Sequence, residues 1–287
     1  MTDVRPVSAG DLPAMLDLLA ARERRTLGLA ETTEARLRDH LALPGTDAWV
    51  AIDHGAVVGY ASLDAAHELE LVAGDDADAA ALLEQIVTRA RERGFRTLAL
   101  TAAPEDASLR AQAVRAGFAH ERTTLRMWRP LTALDPPVWA DGVSVRTYAA
   151  GDAPAVKALL DRGYGGWDET HVARPLDDWV AFMTDHDEFD PGLWFLVERD
   201  GALVACALHW REHQGRGWLK DLVVDERERG RGLGSALVRH GLRVYADRGA
   251  ERVGLKVDDS NPTGAPRLYA SLGFETDRRY ERWSRTL

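Results

Sequence analysis

Between Leu219 and Leu242 the chain reads LKDLVVDERERGRGLGSALVRHGL, in which Gly230, Gly232 and Gly234 alternate with Arg231 and Leu233 directly behind Arg229. The β-branched and apolar run before the glycines predicts a buried strand. The spacing of Leu233, Leu237 and Leu242 after them predicts a helix. The glycines therefore stand at a helix N-terminus that follows a strand. Backbone N–H groups there lack intrahelical partners and the helix dipole is positive, so the place suits a phosphate or pyrophosphate. Glycine lets such a group approach the backbone, and Arg229 and Arg231 can add charge-assisted hydrogen bonds. Neither common nucleotide loop fits. The dinucleotide fingerprint needs G-x-G-x-x-G, whose last interval is broken at Ser235, and a Walker loop needs a Gly-Lys-Ser/Thr that the chain lacks.

Further along, DDSNPTGAPRLYASLGF carries Asn261, Ala265, Tyr269, Gly273 and Phe274. Taken together, the two stretches resemble the GCN5-related N-acetyltransferase (GNAT) family. Its acetyl-CoA loop, R/Q-x-x-G-x-G/A, is matched by Arg229, Gly232 and Gly234. Its second hallmark, an Asn followed by an Ala-x-x-x-Tyr helix and a Gly-Phe pair, is matched by the second stretch. The resemblance implies acetyl-CoA as acyl donor, contacted by Leu222, Val223 and Val224 on the strand, by Arg229, Gly230, Arg231, Gly232, Leu233, Gly234 and Ser235 in the loop, and by Asn261. It also implies Tyr269 as general acid at the leaving thiolate, backbone N–H groups of Leu222–Val224 as oxyanion donors, and a slot for the pantetheine arm where the strand Arg252–Val257 splays from its neighbour.

An amine that attacks a thioester must lose a proton, so a base is needed. Asp221 is the candidate, and strict alternation along its strand sets it on the face opposite Trp218 and Lys220. His209 and Glu212 are reserves. The mycothiol synthases, tandem-domain members of the same family, are similar around these motifs, but the Glu expected in them near Trp218 is missing here. For the acceptor, a primary amine of a small molecule, the segment DRGYGGWDETHV offers Tyr164, Trp167, Asp168 and Glu169 for stacking and charge, with His209 from the preceding strand. Two other readings are a protein N-terminal or lysine acetyltransferase and a CoA-binding sensor or scaffold without turnover.

The elements that must carry these residues occur twice. VRPVSAGDLPAMLDLLAAR near the start matches VRTYAAGDAPAVKALLDRG from Val145, each a short strand followed by an amphipathic helix beginning near Asp11 or Asp152. AWVAIDHGAVVGYASL matches LWFLVERDGALVACAL, each a hairpin turning at His54-Gly55 or Asp200-Gly201. RAGFAHERTTLRMWRPL matches SLGFETDRRYERWSRTL, each a helix end, a Gly-Phe pair and a last strand. A repeat of this length is a whole domain. The expected architecture is α/β, with two tandem GNAT folds, each a mixed, mostly antiparallel sheet flanked by helices. The expected bounds are a degenerate copy over 1–132, a linker over 133–141 broken by Asp135-Pro136-Pro137, and the catalytic copy over 142–287. The first copy has no such loop: Asp75, Asp76 and Asp78 stand where the glycines would be and would repel a pyrophosphate.

Composition narrows the rest. A formal net charge of −10 disfavours nucleic acid as a partner. A single cysteine, Cys206, excludes an intramolecular disulfide or a cysteine zinc cluster, and the acidic DHDEFD run over 185–190 reads as a solvated loop, so no metal is expected. The N-terminus lacks a basic and apolar leader, and no run is apolar enough to span a membrane, so a cytoplasmic protein without a membrane partner is expected. The internal pseudo-dimer fits a monomer or a homodimer.

Overall fold

The computed structural model describes residues 2–165 and 174–287. Trp167, Asp168 and Glu169 lie outside the described residues. The chain forms two compact units, one of residues 1–124 and 278–287, the other of residues 125–277.

In the first unit, β1 (Asp3–Pro6), α1 (Leu12–Leu27) and α2 (Glu34–Ala42) precede a meander of β2 (Asp47–Asp53), β3 (Ala56–Leu63) and β4 (Glu68–Ala73). Then α3 (Asp76–Glu92), β5 (Thr97–Ala102) and α4 (Ala107–Arg115) follow. The sheet order is β1-β2-β3-β4-β5 and then β12 (Glu275–Thr286), the last strand of the chain, antiparallel to β5. Only β4 and β5 run parallel, as a helical crossover requires. Met15 and Leu19 of α1 pack with Val50, Tyr60 and Val72 on one face. Leu82 and Ile86 of α3 pack with Ala61, Leu63, Leu71 and Leu100 on the other.

The second unit repeats the plan. β6 (Ala119–Pro130), which enters the unit at Leu125, is followed by β7 (Val143–Thr147), α5 (Ala153–Tyr164) and α6 (Leu176–Thr184). The meander β8 (Trp194–Arg199), β9 (Ala202–His213) and β10 (Arg216–Val224) leads to α7 (Leu233–Asp247), β11 (Arg252–Asp258) and α8 (Ala265–Ser271). The order is β6-β11-β10-β9-β8-β7, with β10 and β11 parallel. Leu233, Leu237 and Leu242 of α7 pack with Phe195, Leu219 and Leu255. Val156, Leu159 and Leu160 of α5 pack with Trp194, Leu196, Cys206 and Val223 on the opposite face. Each fully buried leucine of this kind contributes about 2 kcal/mol.

The matched halves share details finer than element order. Arg5 and Arg146 each grip the aspartate before the first helix, Asp11 and Asp152, whose second oxygens accept the N–H groups of Ser8 and Ala149. These bonds hold both carboxyls below the usual carboxylate range. Both first hairpins turn at the expected Gly55 and Gly201, and each carries a register shift beside them. The units do not coincide with the two halves of the sequence, because the last strand of each repeat is counted in the other unit. Among the described residues no helix is long and apolar enough to cross a membrane.

Candidate active site

β10 and β11 pair from Arg216↔Arg252 to Leu219↔Leu255 and no further, although β10 continues to Val224 and β11 to Asp258. The strands part there, and the gap is a cavity of about 410 Å³. The Asp225 N–H donates to the Val204 carbonyl at 2.8 Å. Alternation along the strand therefore turns the amides of Leu222 and Val224 away from β9 and toward the slot. An extended chain laid in the slot finds the edge of an open strand.

One end of the cavity is the glycine loop. Gly230 and Gly232 have φ of 77° and 81°, a region L side chains rarely adopt, and no atom lies within 4 Å of where a Cβ would stand. Gly232 is the N-cap of α7 and has no side chain to occupy the helix end. The unpaired N–H groups of that end are thus open to an anion. Arg229, Gly230, Gly232, Leu233, Gly234 and Ser235 line the cavity. Arg231 does not: it is half exposed and paired with Glu228 at 3.3 Å. Glu228 itself lines the cavity and also binds Arg199 at 3.1 Å. Asn261 lines it too, with its side-chain oxygen accepting from the Thr263 N–H at 2.9 Å and hydroxyl at 2.6 Å.

Tyr164 and Tyr269 line the other end; Asp221 does not line the cavity and is joined to it through the Tyr164 hydroxyl. β10 carries a bulge between Leu219, opposite His209, and Asp221, opposite Leu208, so Lys220 is an extra residue. Before the bulge Gly217 and Leu219 face α7; after it Leu222 and Val224 do, leaving Asp221 and Val223 on the α5 face. Strict alternation fails here, and Asp221 shares the face of Trp218 instead of opposing it. α5 comes close because Gly163 lacks a Cβ, which would lie 2.5 Å from Val223 Cγ1. The next residue, Tyr164, donates its hydroxyl to Asp221 Oδ1 at 3.0 Å, and Lys220 Nζ stands 3.6 Å from Oδ2. Tyr269 is buried in α8, edge-on to Phe274 at 5.7 Å. Burial and then the Asp221 charge push its phenol above the usual range, and burial of the Tyr164 hydroxyl beside Asp221 does the same. Both phenols are neutral and protonated at physiological pH. The cavity can hold a thioester beside two protonated phenols, one of them bonded to a carboxylate.

His209 is not at this site. It faces α7, 1% exposed, between Phe195 and Tyr245 at ring distances of 5.5 and 5.4 Å. Neither ring nitrogen has a hydrogen-bond partner, and burial, aided by His240, pushes it down to about 3. Its place was made by Gly241, whose Cβ would lie 2.6 Å from the ring. Glu212 does not line the cavity either. In the acidic run, Asp190 binds Arg248 and the Gly192 N–H, and no metal-holding group of side chains occurs among the described residues. Missed by sequence reasoning were Gly163, Glu228 and Lys256, which line the cavity. Only the glycine before Tyr164 could have signalled a close approach.

Residues 154–274 match the model of the acetyltransferase (GNAT) family. A mycothiol acetyltransferase from Acidothermus cellulolyticus is 36% identical over 261 residues, 82% of this chain and 78% of that protein. Among solved structures, a GCN5-related N-acetyltransferase from Sphaerobacter thermophilus superposes with a TM-score of 0.79 at 24% identity, over 99% of this chain and 95% of that one. A tandem GNAT protein from the clavulanic acid biosynthesis pathway superposes with a TM-score of 0.68 at 20% identity, over 100% of this chain and 98% of that one. These two share the fold, and the second is itself a tandem GNAT protein. The chain belongs to the GNAT acetyltransferase family and is an acetyl-CoA-dependent acyltransferase.

Proposed function

We propose that the second unit transfers the acetyl group of acetyl-CoA directly to a primary amine of a small molecule. The observation that carries this reading is the parting of β10 and β11, with Tyr164 and Tyr269 lining one end of the slot, Asp221 hydrogen-bonded to Tyr164, and the open glycine loop at the other end. When bound, acetyl-CoA supplies an activated acetyl thioester. The loop from Arg229 to Ser235 holds the pyrophosphate through the bare N-terminus of α7, and Arg229 adds charge. Leu222 and Val224 amides pair with the pantetheine arm, and backbone N–H groups of this strand donate to the carbonyl oxygen as it gains charge. Asp221 accepts the proton that the amine loses as the N–C bond forms. Tyr269 delivers a proton to the sulfur as the C–S bond breaks.

The acetyltransferase from Acidothermus cellulolyticus supports an acceptor of the mycothiol kind, and Asp221 suits a substrate that arrives as an ammonium ion. The test is thiol release from acetyl-CoA in the presence of a panel of small primary amines that includes the mycothiol precursor amine. The expected result is release that depends on the amine and saturates with one of the panel. Binding of acetyl-CoA with no release above hydrolysis across the panel and with a lysine peptide would overturn transferase activity. Release with the peptide alone would overturn the small-molecule acceptor.

A further inference from the structure

The register of the two repeats matches Tyr164 with Glu23 and Gly163 with Arg22, because each lies as far from Asp152 or Asp11 as its counterpart. It matches Asp221 with Glu70, because Ser62 and Leu208 stand at equal distances beyond the hairpin turns and pair with these two residues. In the first unit Arg22 approaches Glu70 at 3.8 Å and binds Asp106 at 2.7 Å. In the second unit the arginine is replaced by Gly163, and a neutral phenol takes its place beside the carboxylate. A guanidinium would repel an ammonium substrate. A phenol holds the carboxylate in place without adding a second cation to Lys220, whose Nζ stands 3.6 Å from Oδ2.

We infer that Tyr164 is a positioning residue for acetyl transfer: its hydroxyl holds Asp221 Oδ1 at 3.0 Å and fixes the orientation of the carboxylate toward the amine. The inference rests on the reading of Asp221 as the base. The pair is built into the packing, since α5 reaches β10 only through the Gly163–Val223 approach. Among the described residues the groups that face Asp221 are Tyr164 from α5, Tyr269 from α8, the buried Cys206 thiol from β9 and Lys220 from its own strand, while Lys256 of β11 lines the cavity that Tyr164 and Tyr269 line. The two phenols and the thiol are all pushed upward by burial and by the Asp221 charge, so none of them titrates near neutrality. Losing the Tyr164 donor leaves the carboxylate without the contact that orients it, which lowers kcat while acetyl-CoA binding stays intact.

The experiment compares Tyr164→Phe, Tyr164→Gln and Asp221→Asn in the full chain, with acetyl-CoA affinity by calorimetry as the control for folding. Tyr164→Phe is expected to bind acetyl-CoA within twofold of the parent and to lose about tenfold in kcat. Tyr164→Gln, which keeps a donor, is expected to recover most of the loss. An unchanged kcat in Tyr164→Phe, with Asp221→Asn inactive, overturns the role of Tyr164 and leaves the base reading standing. Full activity in Asp221→Asn overturns the base reading itself. Equal loss of kcat in Tyr164→Phe and Tyr164→Gln, with acetyl-CoA binding kept in both, means the donor has no special role and the inference falls.

Discussion

In both units the parallel strand pair parts early: β4 and β5 pair only at Glu68↔Ala99 and Leu69↔Leu100, as β10 and β11 stop at Leu219↔Leu255. The slot is a property of the fold. What differs is what stands in it. In the first unit Arg22 of α1 reaches Asp106 and Glu70, tying the end of β4 to the segment after β5. The N-terminus of α3 is closed by its own acids: Asp75 accepts from the Asp78 N–H at 2.9 Å, and buried Asp78 accepts from the Thr2 hydroxyl at 2.7 Å. Ala113 stands where the second unit has Tyr269. In the second unit the same positions carry glycines, a tyrosine pair and an unoccluded helix end. At these positions the first unit carries side-chain bonds where the second is open.

That contrast can be broken from either side. The largest effect is expected from Gly232→Asp, which gives α7 the acidic cap that α3 has and forces a side chain onto a φ of 81°. Acetyl-CoA affinity is expected to fall on the order of 100-fold or more, read by calorimetry. Next is Tyr269→Phe, which removes the one proton donor that Ala113 also lacks; kcat is expected to fall about 100-fold with acetyl-CoA affinity nearly unchanged, read by steady-state and binding assays. On the other side, Arg22→Ala leaves the buried Asp106 carboxylate without its partner. The first unit is expected to lose about 3 kcal/mol in urea unfolding, with the acetyl-CoA stoichiometry unaltered.

The smallest effect concerns acid. His209 sits where the first unit has Leu63, each pairing with the matched Leu219 or Leu69. Its folded value is pushed down to about 3 from an ordinary 6.5, so the unfolded chain binds the proton first. Stability is complete above 6.5 and is lost as pH falls through the window from 6.5 toward 3. At pH 5 the loss is about 2 kcal/mol. His209→Leu is expected to remove this loss from the second unit, read as hydrogen exchange of β9 amides at pH 7 and 5. An equal acid loss in the variant would mean that other groups cause it.

The tandem fold and the glycine loop at the start of α7 were legible because glycine spacing, the hairpin turns and the matched aspartates are local signals. Four features were not. The bulge at Lys220 leaves no mark in composition, yet it reverses the face of Asp221 relative to period-two counting. The sheet each terminal strand joins is invisible because the two strands have nearly the same pattern after their Gly-Phe pairs. His209 reads as a polar residue near a site until the gap at Gly241 shows it belongs to the packing of α7. Arg231 looked equivalent to Arg229, and only the position of Glu228 separates them.

The second unit is expected to bind acetyl-CoA and the first is not. Calorimetric titration of acetyl-CoA into the intact chain tests it directly. One site per chain, absent in Gly232→Asp, is the predicted result. Two sites per chain, or one that persists in Gly232→Asp, would contradict it and place a donor site in the first unit.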